Sequence, residues 1–403
     1  MARRNAGALS SLRELNRLKV LDVVREQGTV SRSAIAVATG LARSTVSTLV
    51  GDLQRAGLVV EREDGRTEET SGSGRPPLML SLDPGAGAVI GIQLDHDYVR
   101  VAIADLSLTL LAEGVTQSDV DHDAEAGLAA AAALADELLT EAHVGADRLI
   151  GAGVALSGPI DRGSGLISSA TILPGWVDVD AASWLGKRLR VPVHVENDAN
   201  LGALAESVLG AGRGVTEMAY VMLSSGIGGG LILGGRLYRG ARGTAGEIGH
   251  VSVDERGHMC RCGNRGCLET LVGAGALTEQ LRRSHGDSIT IERIIALSAE
   301  GDPGCQRVIA DAGRTVGRVI ASICNEYNPE RIVVGGELAA AGEVLLGPLR
   351  ETISRYAIPA AVDELTVVPG LLGDRAELMG ALALVVGQSG RVLAHRVHVA
   401  AGG

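Results

Sequence analysis

The sequence contains no phenylalanine, and aromatic residues make up only 2% of its 403 positions. An interior built on stacked rings is excluded, so Val, Leu, Ile and Ala must fill it. At 46% hydrophobic content the chain can support two or three domains with aliphatic cores. Long apolar runs are missing too. The Ala-rich stretch from Gly127 to Leu139 is broken by Asp136 and Glu137, short of the roughly 18 residues that a membrane span requires. Arg3 and Arg4 lead into small and polar residues rather than an apolar segment, which argues against a secretion signal and for a soluble protein in a reducing cytoplasm with no membrane partner. Cysteine is scarce: five in all, an odd number, three of them inside CRCGNRGC at 260 to 267. That distribution argues against a disulfide framework and for a metal.

Charge is present but uneven. Residues 1–80 hold 12 Lys and Arg against 9 Asp and Glu, a net +3, which leaves −14 for the rest of a chain whose total is −11. The basic end is the one suited to a phosphate backbone. There, Leu15, Leu18, Leu21 and Val24 recur every third residue and predict a helix ending near Gly28. Ser31 can cap a second helix carrying Ala34, Ile35 and Ala38, Gly40 supplies a tight turn, and Ser44 caps or opens a third. On that third helix Val46, Leu49, Val50 and Leu53 form the inner face, leaving Arg43, Ser44, Thr45, Ser47 and Thr48 outward. Short hydroxyl side chains let a helix approach a major groove closely, and an arginine at its start reaches a base edge or a phosphate. The same spacing also fits an ordinary three-helix bundle. The strand in AGLVVERED, a Gly/Ser-rich turn and the strand in LMLSL then read as a hairpin wing, giving a winged helix. Gly74-Arg75-Pro76 in the turn presents an extended arginine suited to a narrow minor groove, although such a run also reads as a linker. Asp83-Pro84-Gly85 marks a domain boundary.

The remainder alternates strands and helices. AVIGIQLD and VRVAIADL are paired β-branched runs, a long helix follows from about Ala124 to Ala142, and LIGAGVAL, PVHVEN, MAYVMLS and RIVVGGEL are further strands. Glycine-rich segments recur at the strand ends, where bare backbone can approach a ligand or phosphate. The expected organisation is a disordered tail over 1–10, a winged helix-turn-helix over 11–82, a first α/β lobe over 86–200, a second lobe with the metal site over 201–385, and a C-terminal helix or tail over 386–403.

VENDAN at 195–200, GTAGEIGH at 243–250, CRCGNRGCLE at 260–269 and NPERIVVGGEL at 328–338 occur in the order in which they mark the ROK proteins (repressors, open reading frames and sugar kinases), which this chain resembles from the helical module to about Gly387. The resemblance implies an actin-like (ribonuclease-H-like) two-lobed sugar kinase fold. The winged helix with SGSGRPP is similar to the regulator branch, which implies a bacterial cytoplasmic repressor of carbohydrate genes, nucleoid-associated when bound to a double-stranded operator as a homodimer or homotetramer, and answering to a sugar effector. Asn197, Asp198, Glu247, His250, Glu269 and Gly158 are the implied sugar contacts; carboxylates accept hydrogen bonds from vicinal hydroxyls, and Asn offers a donor and an acceptor. His250, Cys260, Cys262 and Cys267 supply four zinc ligands by both spacing and resemblance, a closed tetrahedral structural site. A redox role for the Cys-x-Cys pair lacks a partner motif, and Cys305 and Cys324 read as core residues.

In kinases of this family Asp198 resembles the general base, so a sugar kinase carrying an accessory DNA-binding module is the alternative. Against it stands the first phosphate loop. Where the kinases have Asp-x-Gly-Gly-Thr, this chain has Gln93, Leu94, Asp95, His96 and Asp97. A fixed carboxylate roughly 4 Å from a phosphate costs about 4 kcal/mol at an effective dielectric of 20, so no kinase activity is expected.

Overall fold

The computed structural model describes residues 2–62, 78–167, 173–390 and 393. The amino-terminal unit comprises α1 (Ala2–Gln27), β1 (Val30–Ser31), α2 (Arg32–Thr39), α3 (Arg43–Arg55), β2 (Val59–Arg62) and β3 (Met79–Leu82). Helix α1 begins at Ala2 and so replaces the disordered tail expected over 1–10: its residues are mostly good helix formers with no proline among them. It stops where Gly28 takes a φ of 70°. Ser31 caps α2, its hydroxyl accepting from Ala34 N–H at 3.2 Å. Ser44, expected to cap or open α3, lies inside its first turn, behind Ala42, which offers no capping side chain. Helices α2 and α3 meet at 114°, within the roughly 90–120° of a helix-turn-helix. Strand β3 pairs with both β1 and β2, so the hairpin folds back as a wing; its tip, with Gly74 and Arg75, lies outside the described residues. Asp52 of α3, 3% exposed, ties this unit together through Arg17 and Arg13 of α1, each at 2.7 Å, and through Arg55. Burial by itself would raise the Asp52 pKa, but the Arg17 and Arg13 guanidiniums hold it below its ordinary value.

The first lobe is β4 (Ala88–Leu94), β5 (Tyr98–Asp105), β6 (Leu110–Gln117), α4 (Ala124–Glu141), β7 (Leu149–Leu156), α5 (Ala181–Leu189) and β8 (Val193–Asn197). Its sheet runs β6-β5-β4-β7-β8, antiparallel among the first three strands and parallel thereafter. All residues of β4 and β7 are buried, as expected for central strands covered on both faces. Helix α6 (Asp198–Val208) then leads to the second lobe: β9 (Met218–Leu223), β10 (Ile227–Leu233), β11 (Arg236–Tyr238), α7 (Glu269–Val272), α8 (Ala274–His285), α9 (Ile291–Ala299), α10 (Pro303–Tyr327), β12 (Arg331–Gly335), α11 (Glu343–Tyr356) and β13 (Thr366–Pro369). Its order, β11-β10-β9-β12-β13, repeats that of the first sheet. No single helix among the described residues is long and apolar enough to cross a membrane.

The last helix, α12 (Ala376–Gln388), returns to the first lobe and packs on β4 and β7. Residues 376–385 therefore leave the second lobe, to which sequence order had assigned them. Their apolar residues need a sheet face, and the free one belongs to β4 and β7: a Cβ on Gly153 of β7 would sit 2.2 Å from the Ala381 carbonyl oxygen, and one on Gly380 2.1 Å from that of Leu201 in α6. Helices α12 and α6 thus stack between the two sheets. The same sheet face carries the winged helix. Val20, Val24, Val46, Leu49 and Leu53 share one apolar cluster with Val89, Ala102, Ile150, Leu378, Leu382 and Val386, and Arg25 donates to the Val386 carbonyl at 3.1 Å.

Gly153→Ala should cost about 1–3 kcal/mol of unfolding free energy, because the clash is with backbone that cannot move without parting α12 from the sheet. Denaturant melts of the variant and of Gly275→Ala, an exposed position with open space around it and no left-handed backbone, measure the difference.

Candidate functional site

Strand β8 ends at Asn197 and α6 begins at Asp198, so two polar residues stand where one lobe hands the chain to the other. Asn197 caps α6, its Oδ1 accepting from Asn200 N–H at 3.0 Å, while its Nδ2 donates to the Gly158 carbonyl at 3.1 Å and to Asp198 Oδ1 at 2.9 Å. The Ser157 hydroxyl donates to Asp198 Oδ2 at 2.8 Å. Burial raises the Asp198 pKa above its ordinary value in spite of these bonds. Across the gap the second lobe brings Glu247, just before the turn Ile248–His250, and Glu269, the first residue of α7. Glu247 is pushed up to about 7 by burial and then by the carboxylates of Asp198 and Glu269. His250 Nε2 lies 3.9 Å from Glu247 Oε2. Gly158, Asn197, Asp198, Glu247, His250 and Glu269 therefore line one cavity, of about 50 Å³, room for one or two waters.

Two residues of this cavity escaped the sequence reading. His96 had been read only as an intrusion into a phosphate loop; its Nδ1 meets Asp121 Oδ1 at 2.9 Å and its Nε2 meets the Ser225 hydroxyl at 3.0 Å, so it bridges the lobes. Arg261 pairs with Glu269 at 3.2 Å. Its place between Cys260 and Cys262 was the available signal, since a side chain on so short a tether must share the surroundings of its neighbours.

His250, Cys260, Cys262 and Cys267 come together, all four donor atoms within 4.8 Å of one another. His250 Nδ1 lies 3.6 Å from Cys260 Sγ, and the sulfurs of Cys262 and Cys267 are 3.6 Å apart. Tetrahedral zinc with bonds of about 2.0–2.1 Å to nitrogen and about 2.3 Å to sulfur has N···S and S···S edges of roughly 3.6–3.8 Å, so the donor set fits such an ion. With Nδ1 turned to the sulfurs, Nε2 is left facing Glu247. Cys305 and Cys324 are both fully buried in the second-lobe core, as read from the sequence, and Cys305 Sγ also lies 3.9 Å from His285 Nε2.

A second cavity between the lobes, of about 590 Å³, is lined by Gln93, Asp95, Ser224, Gly336, Glu337 and Glu377 among others. Burial, with the carboxylates of Asp198, Asp95 and Asp374, pushes Glu377 up to about 8. On the winged helix, Arg43, Ser44, Ser47 and Thr48 are exposed and Thr45 is half-buried rather than outward. The hydroxyls of Ser47 and Thr48 donate back to the carbonyls of Arg43 and Ser44, each at 3.0 Å, which keeps this face short.

Two lobes of one repeated strand order, closing on a polar cleft and carrying a winged helix on the first, define a sugar-kinase-like fold joined to a DNA-reading module. The chain belongs to the ROK family: the family model of that description matches residues 89–388, and a model described as MarR family matches residues 14–67. It is 30% identical over 388 residues to the xylose repressor of Caldicellulosiruptor bescii, covering 93% of this chain and 96% of that one. It is 31% identical over 396 residues to the DNA-binding transcriptional dual regulator NagC of Escherichia coli K12, with 94% of each covered. Among solved structures, a ROK family transcriptional regulator homologous to the E. coli Mlc protein superposes with a TM-score of 0.81 at 26% identity, covering 96% of this chain and 99% of that one. A ROK family glucokinase from Streptomyces griseus, in complex with glucose and AMPPNP, superposes with a TM-score of 0.65 at 27% identity, covering 74% of this chain and 99% of that one.

Because Glu377 holds its proton more tightly when folded, its contribution to stability is complete below the ordinary glutamate pKa and is lost as pH rises through about 8. Thermal melts of the wild type should therefore decline between about pH 4.5 and 8 more steeply than those of Glu377→Gln; parallel declines would remove Glu377 from the account.

Proposed function

We propose that the protein is a sugar-responsive DNA-binding transcriptional repressor of carbohydrate genes. The observation that carries this reading is the apolar cluster that joins the winged helix to the sheet of the first lobe. The reader rides on that lobe, while Glu247, His250 and Glu269 belong to the other. A sugar held by Asn197, Asp198, Glu247, His250 and Glu269, with the Gly158 backbone at the rim, bonds to both lobes at once. Since the cavity between them is about 50 Å³, the lobes must part to admit a pyranose, and the reader moves with the first. Only a sugar with different affinities for the two arrangements shifts the equilibrium between them. Arg43, Ser44, Ser47 and Thr48 present α3 to a major groove. A homodimer or homotetramer would set two such readers on a palindromic operator, in the cytoplasm and on the nucleoid.

Zinc, if bound by His250, Cys260, Cys262 and Cys267, would supply structural cross-linking. His250 then keeps Nε2 for a sugar hydroxyl, and the loop holds Glu247 and Glu269 at fixed separation. Asp198 keeps the position of a general base but has no phosphoryl donor to serve: Gln93, Asp95 and His96 stand in the first phosphate loop, and His96 is committed to Asp121 and Ser225. The protein therefore binds sugar without phosphorylating it.

Binding to DNA from the gene's own upstream region, measured with a panel of hexoses, pentoses, amino sugars and their phosphates, tests the reading. One sugar should change the affinity about tenfold, a coupling near 1.4 kcal/mol, and Glu247→Gln should abolish that change while leaving DNA binding intact. DNA binding indifferent to every sugar would overturn it. For the metal, purified protein should carry one zinc per chain and Cys267→Ser should lose it; sugar affinity should fall at least tenfold in that variant, with operator affinity in the absence of sugar unchanged, because the reader's core lies on the other lobe.

A further inference from the structure

His96, Asp121 and Ser225 meet in a more specific way than a bond between the lobes requires. The His96 Nδ1 lies 2.9 and 3.0 Å from the two carboxylate oxygens of Asp121, and its Nε2 lies 3.0 Å from the Ser225 hydroxyl. A carboxylate only accepts, so Nδ1 carries the proton. In the neutral imidazole Nε2 is then bare, and it accepts the hydrogen of Ser225. A bridge that only joined the lobes would serve in either tautomer. This one is fixed in the arrangement of nucleophile, base and orienting carboxylate.

Backbone holds each member in place. The His96 carbonyl accepts Val120 N–H at 3.1 Å, beside Asp121, and the Asp121 carbonyl accepts Gly175 N–H at 3.3 Å. Ser225 sits at the tip of the β9–β10 hairpin, where Ser224 N–H donates to the Gly226 carbonyl at 3.0 Å and the Ser224 carbonyl accepts Ala274 N–H at 3.1 Å. His96 and Asp121 are half-buried, whereas Ser225 is exposed. Substrate can therefore reach the hydroxyl. Gly226, the residue after the serine, has a backbone N–H with no hydrogen-bond partner among the described residues. Arg261, though paired with Glu269, brings its Nη2 to 3.5 Å from where a Cβ on Gly226 would stand. A free N–H and a guanidinium beside a nucleophile are groups of the kind that stabilise a tetrahedral oxyanion.

The cavity in front of the hydroxyl is open, with a volume of about 570 Å³, and Met259, Gly275, Ala276 and Glu279 share its wall with His96 and Ser225. Small residues leave room for a short acyl group, and the carboxylate disfavours an anionic substrate such as a phosphate ester. We propose that the protein hydrolyses neutral short-chain carboxylic esters, with Ser225 as nucleophile, His96 as general base and acid, and Asp121 as a positioning residue. Ser225 Oγ bonds to the ester carbonyl carbon as its proton passes to His96 Nε2; the bond from that carbon to the alkoxy oxygen then breaks, and the alcohol leaves with the proton. Water attacks the acyl-serine in turn and gives a proton to Nε2, and Oγ takes it back as the acid departs. Net, an ester and water give an acid and an alcohol. The activity is independent of the sugar reading, since it asks nothing of Asn197, Asp198 or Glu247.

The full-length protein with p-nitrophenyl acetate tests the proposal, read by nitrophenolate release and by mass spectrometry of the chain and its peptides. The ester should be turned over repeatedly, and a fluorophosphonate should stop turnover and label Ser225. Ser225→Ala and His96→Gln should each lower the rate about a hundredfold or more. Asp121→Asn should lower it comparably, and its remaining rate should rise in proportion to hydroxide, because an amide that donates to Nδ1 leaves the proton on Nε2 and removes the base. Ser225 is exposed, so alanine there should leave the melting temperature unchanged. Hydrolysis that persists undiminished in Ser225→Ala comes from other surface groups and would overturn the proposal. A wild-type protein that the fluorophosphonate leaves unlabelled at Ser225 would overturn it whatever the variants do.

Discussion

Everything in this molecule hangs on one apolar contact, the face of the first sheet that β4 and β7 present to α12 and to the winged helix. Val89 and Ile150 of that sheet, Leu382 and Val386 of α12, and Val20 and Leu49 of the reader belong to a single cluster. A DNA-reading module attached only by a linker would sample many orientations, and events in a distant cleft would have no mechanical hold on it. Here the reader and the first lobe form one body. The close approach behind this, with the Gly153 position pressed against the Ala381 carbonyl, leaves no room for a side chain.

The cleft is a contact of the opposite kind, polar and divided between two bodies. Asn197 and Asp198 hang from the end of β8, while Glu247, His250 and Glu269 stand on a loop in which three cysteines and a histidine cluster. Carboxylates brought this close raise one another's proton affinity, and burial adds to the effect, as the rise of Glu247 to about 7 shows. Hydroxyl groups are suited to carboxylates in either protonation state, since they both donate and accept. In the neighbouring cavity Asp95, Glu337 and Glu377 are among the lining carboxylates, and beside it His96 joins the lobes through Asp121 and Ser225.

Much of the architecture was legible in the chain. The three-residue apolar steps of α1, the Ser31 cap, the glycine stop after α2 and the β-branched runs of the two sheets are local signals, and each element lies where its own residues direct it. The cysteine and histidine spacing likewise brought a four-donor cluster into view before any fold was drawn. What the chain did not show was decided by a partner far away in sequence: α12 crossed to a lobe whose sheet begins nearly three hundred residues earlier.

The sequence by itself determined the composition of each face: which strands are apolar on both sides, which helix is short and polar, and which residues can take a metal. These are properties of residue type and short-range spacing, set by backbone sterics and side-chain chemistry. Only the tertiary structure decided that the reader shares a core with one lobe and not the other, that His96 meets Asp121 and Ser225, that Arg261 faces Glu269, and that Gln93 is left with a bare acceptor. Each of those depends on which distant surfaces come within a few ångströms, and that is set by the packing of whole elements rather than by any residue's neighbours in the chain.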